Sequence, residues 1–138
     1  MGKIKVVLDT NVIVSAFGWH GNPEEVVRLA INGFIINFTS IDMLDELRIV
    51  LSYPKMGFSK TLQAEIIETI FLYSSTVKTI ESLKVVANDY EDNKVIECAV
   101  SAGADCIISG DKHLLDLKRF RNTDIITAGE FLKRWGAR

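Results

Sequence analysis

Four carboxylates stand in contexts that suggest a magnesium-type site: Asp9 in VVLDTNV, Glu46 in DMLDELRIV, Asp92 in YEDNKVIECA and Asp111 in IISGDKHLL. An all-oxygen donor set of this kind selects a hard cation, Mg²⁺ or Mn²⁺. Asp9 follows the apolar run Val6-Val7-Leu8, and Asp111 comes soon after Ile107-Ile108. Short β-branched runs like these read as strands buried on both faces of a parallel sheet. In open α/β sheets, ligands bind beyond the carboxyl ends of such strands. Carboxylates gathered there about 5 Å apart would repel by about 3 kcal/mol per pair at an effective dielectric of 20. Protonation or a bound cation has to accompany such a cluster.

Each acid also has a competing structural reading. Asp9 can cap the helix that follows it as an Asx-type turn, with Thr10 and Asn11 placed to orient its carboxylate as metal ligands require. Glu46 sits mid-helix among Leu44, Leu47 and Val50, a position on the boundary between core and cleft, but spacing does not separate it from Asp45 or Asp42. Asp89, Glu91 and Asp92 precede a helix, where acids are favoured by the macrodipole whatever the protein does. Within that group Asp92-Asn93 leads directly into apolar residues, which makes Asp92 the ligand candidate and Asp89 a cap or extra acid. Asp111 follows Ser109-Gly110 in a loop just past a buried strand, where a rigid scaffold commonly carries function; Ser109 can join a phosphate or the carboxylate network.

The elements that must position these residues alternate between strand and helix. A strand over about 3–9 leads to a helical stretch through 12–17. Asn22-Pro23-Glu24-Glu25 supplies an N-cap, a proline at the first helical position and a glutamate for a helix to Gly33. Strand 34–38 precedes a helix capped by Thr39 or Ser40 that carries Glu46 and stops before Pro54. Ser59 begins a helix with the stripe Leu62, Ile66, Ile67, Ile70 and Phe71. A third strand is expected over 76–80, then a turn near Asn88 and Asp89 and a helix from about Asp92 to Gly103. Strand 106–109, a helical turn 113–117, strand 124–126 and a helix opened by Thr127-Ala128-Gly129-Glu130 complete the chain. The sum is an α/β fold in a single domain over 1–138, its sheet mostly parallel and of about five strands.

Composition narrows the function class. With 138 residues the chain can bury a substantial core without disulfides. Cys98 and Cys106 form no C-x-x-C pair and read as small core hydrophobes in a reducing cytosol. The N-terminal apolar run is interrupted by Asp9 and Asn11 too early for a signal peptide or membrane span, so a cytoplasmic protein is expected. The net charge is −2, yet residues 111–138 carry seven Lys or Arg against four acids, leaving −5 for the rest. An acidic pocket beside a basic tail fits a metal site next to a phosphate-binding surface, and ordinary solvated helix faces fit the same numbers equally well. His20 and His113 lack a second His or a Cys at ligand spacing, which argues against zinc and reads His113 as a surface or phosphate-side residue. No G-x-x-x-x-G-K-[ST], G-x-G-x-x-G or G-x-S-x-G occurs, which disfavours nucleotide hydrolases, dinucleotide enzymes and serine hydrolases.

The blocks LDTNVIVSAF and DYEDNKVIECAVSAGADCIISGDKHLL, with an acid in a helix between them, closely resemble the PIN-domain ribonucleases, and within them the VapC-type toxins of toxin-antitoxin pairs. The resemblance implies a three-layer α/β/α sandwich and places the family acids on Asp9, Glu46, Asp92 and Asp111, with the polar position on Asn11. It selects Glu46 over Asp42 and Asp45. It also implies cleavage of single-stranded RNA, one or two Mg²⁺ or Mn²⁺ ions that polarise the phosphodiester and activate water, a small antitoxin that blocks the groove, and a homodimer. Lys112, Lys118, Arg119 and Arg121 are then candidates to contact the RNA backbone or the antitoxin. Two other classes compete. A receiver-type phospho-signalling domain shares the sheet and acidic pocket, but wants two adjacent acids after the first strand and a Lys after the last, where this chain has Asp9 alone and Thr127. A non-catalytic PIN-like module for RNA binding or assembly is compatible with every residue named.

Overall fold

In a computed structural model, residues 2–80, 82–83 and 90–136 are described, without the side chains of residues 90 and 91. The chain builds β1 (Ile4–Leu8), α1 (Thr10–Gly18), α2 (Asn22–Ile31), β2 (Ile35–Thr39), α3 (Ile41–Leu51), a 3₁₀ turn (Pro54–Met56), α4 (Lys60–Leu72) and β3 (Ser74–Thr76). It continues through α5 (Tyr90–Ala102), β4 (Cys106–Ile108), α6 (Lys112–Leu117), β5 (Arg119–Phe120), β6 (Thr123–Ile126) and α7 (Ala128–Trp135). The strands form one sheet in the order β3-β2-β1-β4-β6-β5. Five are parallel, and the two-residue edge strand β5 runs antiparallel to β6.

Period-two alternation in the central strands divides the core into two layers. Val6 and Leu8 of β1, Cys106 and Ile108 of β4 and Ile126 of β6 face a cluster built with α1, α2, α4 and α7. Val7, Ile107 and Ile125 face the opposite cluster, built with Val95, Ile96, Cys98 and Ala99 of α5 and Leu114 of α6. Helices on both faces of a mostly parallel sheet make the expected three-layer sandwich. Both cysteines are fully buried and unpaired. Burial pushes both thiols up to about 12, with the carboxylates of Asp105 and Asp124 adding to the rise at Cys106, so they stay protonated and behave as small hydrophobes.

Three helix starts follow the sequence. Ser40, Ser59 and Thr127 each accept a hydrogen bond from the backbone N–H three residues on, at Met43, Leu62 and Glu130. The start of α2 differs: its cap is Gly21 at φ 148°, with no capping side-chain bond, and Asn22 is already helical. The third strand is also displaced, from the expected 76–80 to 74–76. Its partner β2 ends at Thr39, where Ser40 turns into α3, so beyond the bond from Val77 N–H to Thr39 O (2.8 Å) no ladder remains for 78–80. Asn37, 1% exposed, ties three strands together: its Oδ1 accepts from Leu8 N–H (2.9 Å) and its amide donates to Ser74 Oγ (2.9 Å). The turn expected near Asn88 and Asp89 lies outside the described residues. No described helix is long and apolar enough to cross a membrane.

Candidate functional site

After β1 the chain lays β2 and β3 on one side and, after α5, β4 on the other, so the reversal of strand order falls between β1 and β4. This is the crevice where α/β sheets take ligands. The register Leu8↔Ile108 puts the residues that follow, Asp9 and Ser109, side by side beyond the strand ends. Each continues the ladder by its backbone, Asp9 N–H to Ile108 O (2.9 Å) and Ser109 N–H to Ile126 O (3.0 Å).

Asp9 caps α1 with its Oδ1 on Thr10 N–H (2.8 Å), while its Oδ2 accepts from Ser109 Oγ (2.6 Å). The capping and network readings of Asp9 therefore hold together, because the two oxygens face different partners. Ser109 is 1% exposed and its hydroxyl also accepts from Asp111 N–H (2.9 Å). One hydroxyl thus ties the first acid to the loop of the last. Asn11 Oδ1 holds the same loop through Gly110 N–H (3.2 Å). Asp111 caps α6, its Oδ1 accepting from His113 N–H (3.0 Å).

Asp9, Glu46, Asp92 and Asp111 all line one cavity of about 460 Å³, together with Thr10, Asn11, Ser15, Trp19, Val50 and Met56. On α3, Leu47 and Leu51 point into the core at 1% and 0% exposure, and that packing turns Glu46 and Val50 to the cavity. Asp42 and Asp45 line a neighbouring cavity of about 300 Å³, which Glu46 and Val50 also border, and Asp42 pairs with Lys94 at 3.6 Å. Of the three acids on α3, only Glu46 reaches the cavity that Asp9, Asp92 and Asp111 line, a matter of helix rotation set by core packing. Asp92, 6% exposed, is carried into the site by α5, anchored through the fully buried Ile96 and the neighbouring Val95 and Ala99. Asp89 lies outside the described residues.

Asp92, Asp111 and His113 each present a donor atom within 4.8 Å of the other two. Two carboxylates at that separation repel by about 3 kcal/mol at an effective dielectric of 20, and a shared cation reverses the sign. This donor set fits a divalent ion, and it includes the imidazole of His113, which is exposed, as expected of a surface or phosphate-side residue. The missed signal is positional: His113 is two residues past an acid that caps a helix, so both side chains start from the same first turn. Trp19, 61% exposed at the end of α1, is a second residue the sequence reading passed over.

The basic residues divide. Lys112 adjoins Asp111 at the acid end of the sheet. Arg119 is in register with Asp124, and Asp124 with Cys106, the first residue of β4. Arg119 therefore lies about 10 Å below the level of Ser109 at 3.3 Å per residue, and two strands, about another 10 Å, across. Arg121 follows in the turn beyond it, and Lys118, whose carbonyl accepts from Ile125 N–H (2.9 Å), stands part-way along the edge. Lys118, Arg119 and Arg121, the candidates for backbone contact with RNA or an antitoxin, thus lie along the antiparallel edge strand, apart from the cavity. Arg119 and Arg134 both pair with Asp124 there, at 3.4 and 3.2 Å.

A PIN domain family model matches residues 5–113, a span that holds all four acids and His113 and stops short of the distal basic edge. An uncharacterized protein of Methanocaldococcus jannaschii is 34% identical over 119 residues, 84% of this chain and 76% of that protein. PIN domains are generally metal-dependent nucleases. The family match over most of the chain, the three-layer sandwich and the acid-lined cavity at the strand reversal agree, and the chain belongs to the PIN domain family.

Proposed function

We propose that the chain is a single PIN domain acting as a Mg²⁺- or Mn²⁺-dependent endoribonuclease on single-stranded RNA. The observation that carries this reading is the convergence of Asp9, Glu46, Asp92 and Asp111 on one cavity at the strand reversal. Asp92 and Asp111 would hold the ion, with Asp9 and Glu46 completing the acidic wall. A bound divalent ion supplies charge for the phosphodiester oxygens and acidifies a water. Ser109 holds the Asp9 carboxylate against the Asp111 loop, and Asn11 fixes that loop from the other side, which keeps the donors in place before substrate arrives. Lys112 adds a cation where the scissile phosphate would approach. By its resemblance to VapC-type proteins, the reading extends to a cytoplasmic, homodimeric toxin held inactive by a small antitoxin.

The test is cleavage of single-stranded RNA by purified protein in Mn²⁺, with EDTA and Asp9→Asn controls. Products that need both the metal and the Asp9 carboxylate support a nuclease. Metal binding without cleavage of any RNA would favour the non-catalytic module, and cleavage that survives in EDTA would indicate a contaminant.

A further inference from the structure

His113 changes the chemistry expected of the site, from all-oxygen to mixed nitrogen and oxygen. We propose that His113 is a direct ligand of the same divalent ion as Asp92 and Asp111, and that it tilts the site toward Mn²⁺ and away from Mg²⁺. The proposal rests on the metal-dependent reading above and sharpens it by naming the ligand that sets metal preference.

The geometry comes first. The donor atoms of Asp92, Asp111 and His113 lie within 4.8 Å of one another. Donors on opposite sides of one Mg²⁺ are about 4.2 Å apart, twice its bond length, and across a Ca²⁺-sized ion about 4.6–5.2 Å. Neighbouring donors on the same six-coordinate ion are about 3.0 Å apart, so the three close on one ion with shifts of up to about an ångström, which side-chain rotation supplies. The backbone holds them there. Asp111 Oδ1 accepts from His113 N–H (3.0 Å), so carboxylate and imidazole share the first turn of α6. Leu114, 0% exposed, is packed against the core layer of α5 and sets the rotation of that turn. Its neighbour His113 is exposed, so its ring can adjust to an ion without disturbing the core.

The competing reading is a solvated surface imidazole, and exposure alone would favour it. Two carboxylates within reach weigh against it. A ring nitrogen beside two acids gains more from a shared ion than from water, because the ion also removes the repulsion between the acids. Imidazole is a poor ligand for Mg²⁺, which keeps oxygen donors and its waters, and a good one for first-row transition ions, among which binding strengthens from Mn²⁺ toward Cu²⁺.

The experiment measures the ion and needs no RNA. Mn²⁺ is bound to wild type, His113→Ala, His20→Ala and Asp92→Asn, and pulsed electron paramagnetic resonance reads nitrogen coupled to the manganese. Calorimetric titration gives the Mn²⁺ and Mg²⁺ affinities of the same proteins. Wild type and His20→Ala are expected to show imidazole nitrogen coupling, and His113→Ala to lose it. The preference for Mn²⁺ over Mg²⁺ should fall at least about tenfold in His113→Ala, the lower bound set by changes to residues that merely support a ligand. Manganese bound by wild type without nitrogen coupling, or equal metal preference in wild type and His113→Ala, overturns the role of His113 while leaving the acidic site standing. Absence of any binding by wild type would overturn both, and loss in Asp92→Asn together with the nitrogen signal in wild type supports both.

Discussion

The two ends of the sheet carry opposite charge and differ in how far their charged side chains are enclosed. At the carboxyl ends of β1 and β4, four acids line one cavity, and Ser109 and Asn11 tie Asp9 and its helix to the loop of Asp111. Toward the other end, Arg119 of the two-residue edge strand and the flanking Lys118 and Arg121 are exposed, and Arg119 pairs with Asp124. Both groups stood out in the sequence as patches of charge. The fold separates them, because like charges placed in a cavity need a counter-ion, whereas like charges on an edge need only water. An unpaired strand edge studded with cations is also a common guard against pairing with another sheet. The comparison teaches that charge bias along a chain marks function only when the topology folds it inward.

The largest effect should come from the acid end. Asp92→Asn keeps shape while removing the negative charge from a side chain that is 6% exposed in the cavity wall. If the cavity is the reaction centre, RNA cleavage should fall by about 10²–10³-fold, the range for loss of one preorganised electrostatic group. The melting temperature without metal should hold or rise, since one member of a repelling set is neutral. A cleavage rate within twofold of wild type would break the assignment.

Trp19 offers a sharper use of the same end. Trp19 is 61% exposed at the mouth of the acid cavity, and its backbone N–H closes the end of α1 on Ser15 O (2.9 Å). An exposed indole beside a phosphate-reactive site suits stacking of an unpaired base, worth about 1–3 kcal/mol. Trp19→Ala should weaken single-stranded RNA binding by about 5- to 100-fold, and Trp19→Phe should recover much of it. Fluorescence titration in a Trp135→Phe background, where Trp19 is the sole indole of the two in the chain, reads the contact directly. An unquenched Trp19 in the presence of bound RNA would refute it.

Metal should stabilise the folded protein through the same cavity. An ion at 100 times its dissociation constant adds about 2.7 kcal/mol, which for a domain near this size raises the melting temperature by roughly 6–10 °C. Scanning calorimetry with Mn²⁺ and EDTA checks it. The shift should shrink markedly in Asp111→Asn. A shift of the same size in that variant would place the ion elsewhere.

Much of this architecture could be read from the chain because local chemistry and tertiary position agree. Val6-Val7-Leu8 and Cys106-Ile107-Ile108 are buried on both faces, as β-branched runs without alternation imply, and Ser40, Ser59 and Thr127 cap where their types and spacing predict. What stayed hidden depended on neighbours. The span of β3 is set by where β2 stops, and the rotation of α3, which turns Glu46 to the acid cavity, by the fit of Leu47 and Leu51. The edge strand β5 is flanked by Lys118 and Arg121 at φ 62° and 53°, conformations that nothing in those residue types announces. The proximity of His113 to the acids was hidden for a similar reason: ligand spacing rules look along the chain, while the donors near it are on Asp111 in the same turn and Asp92 on another helix.

The smallest effect is expected at the basic edge, and it tests the comparison from the other side. Each cation that neutralises a phosphate of single-stranded nucleic acid contributes about −0.7 to the slope of log affinity against log salt. Were Lys118, Arg119 and Arg121 all on the RNA, replacing them with Gln would flatten that slope by about 2. Their distance from the cavity across the sheet, and the pairing of Arg119 with Asp124, argue for a change near zero. Lys112→Gln, at the acid end, should instead remove about 0.7. Binding of a short single-stranded RNA, measured between 50 and 300 mM salt for the two variants and wild type, separates these outcomes. A slope change near 2 in the triple variant would mean that the bound strand runs from the cavity around the sheet edge, and that the two ends of the molecule work as one surface.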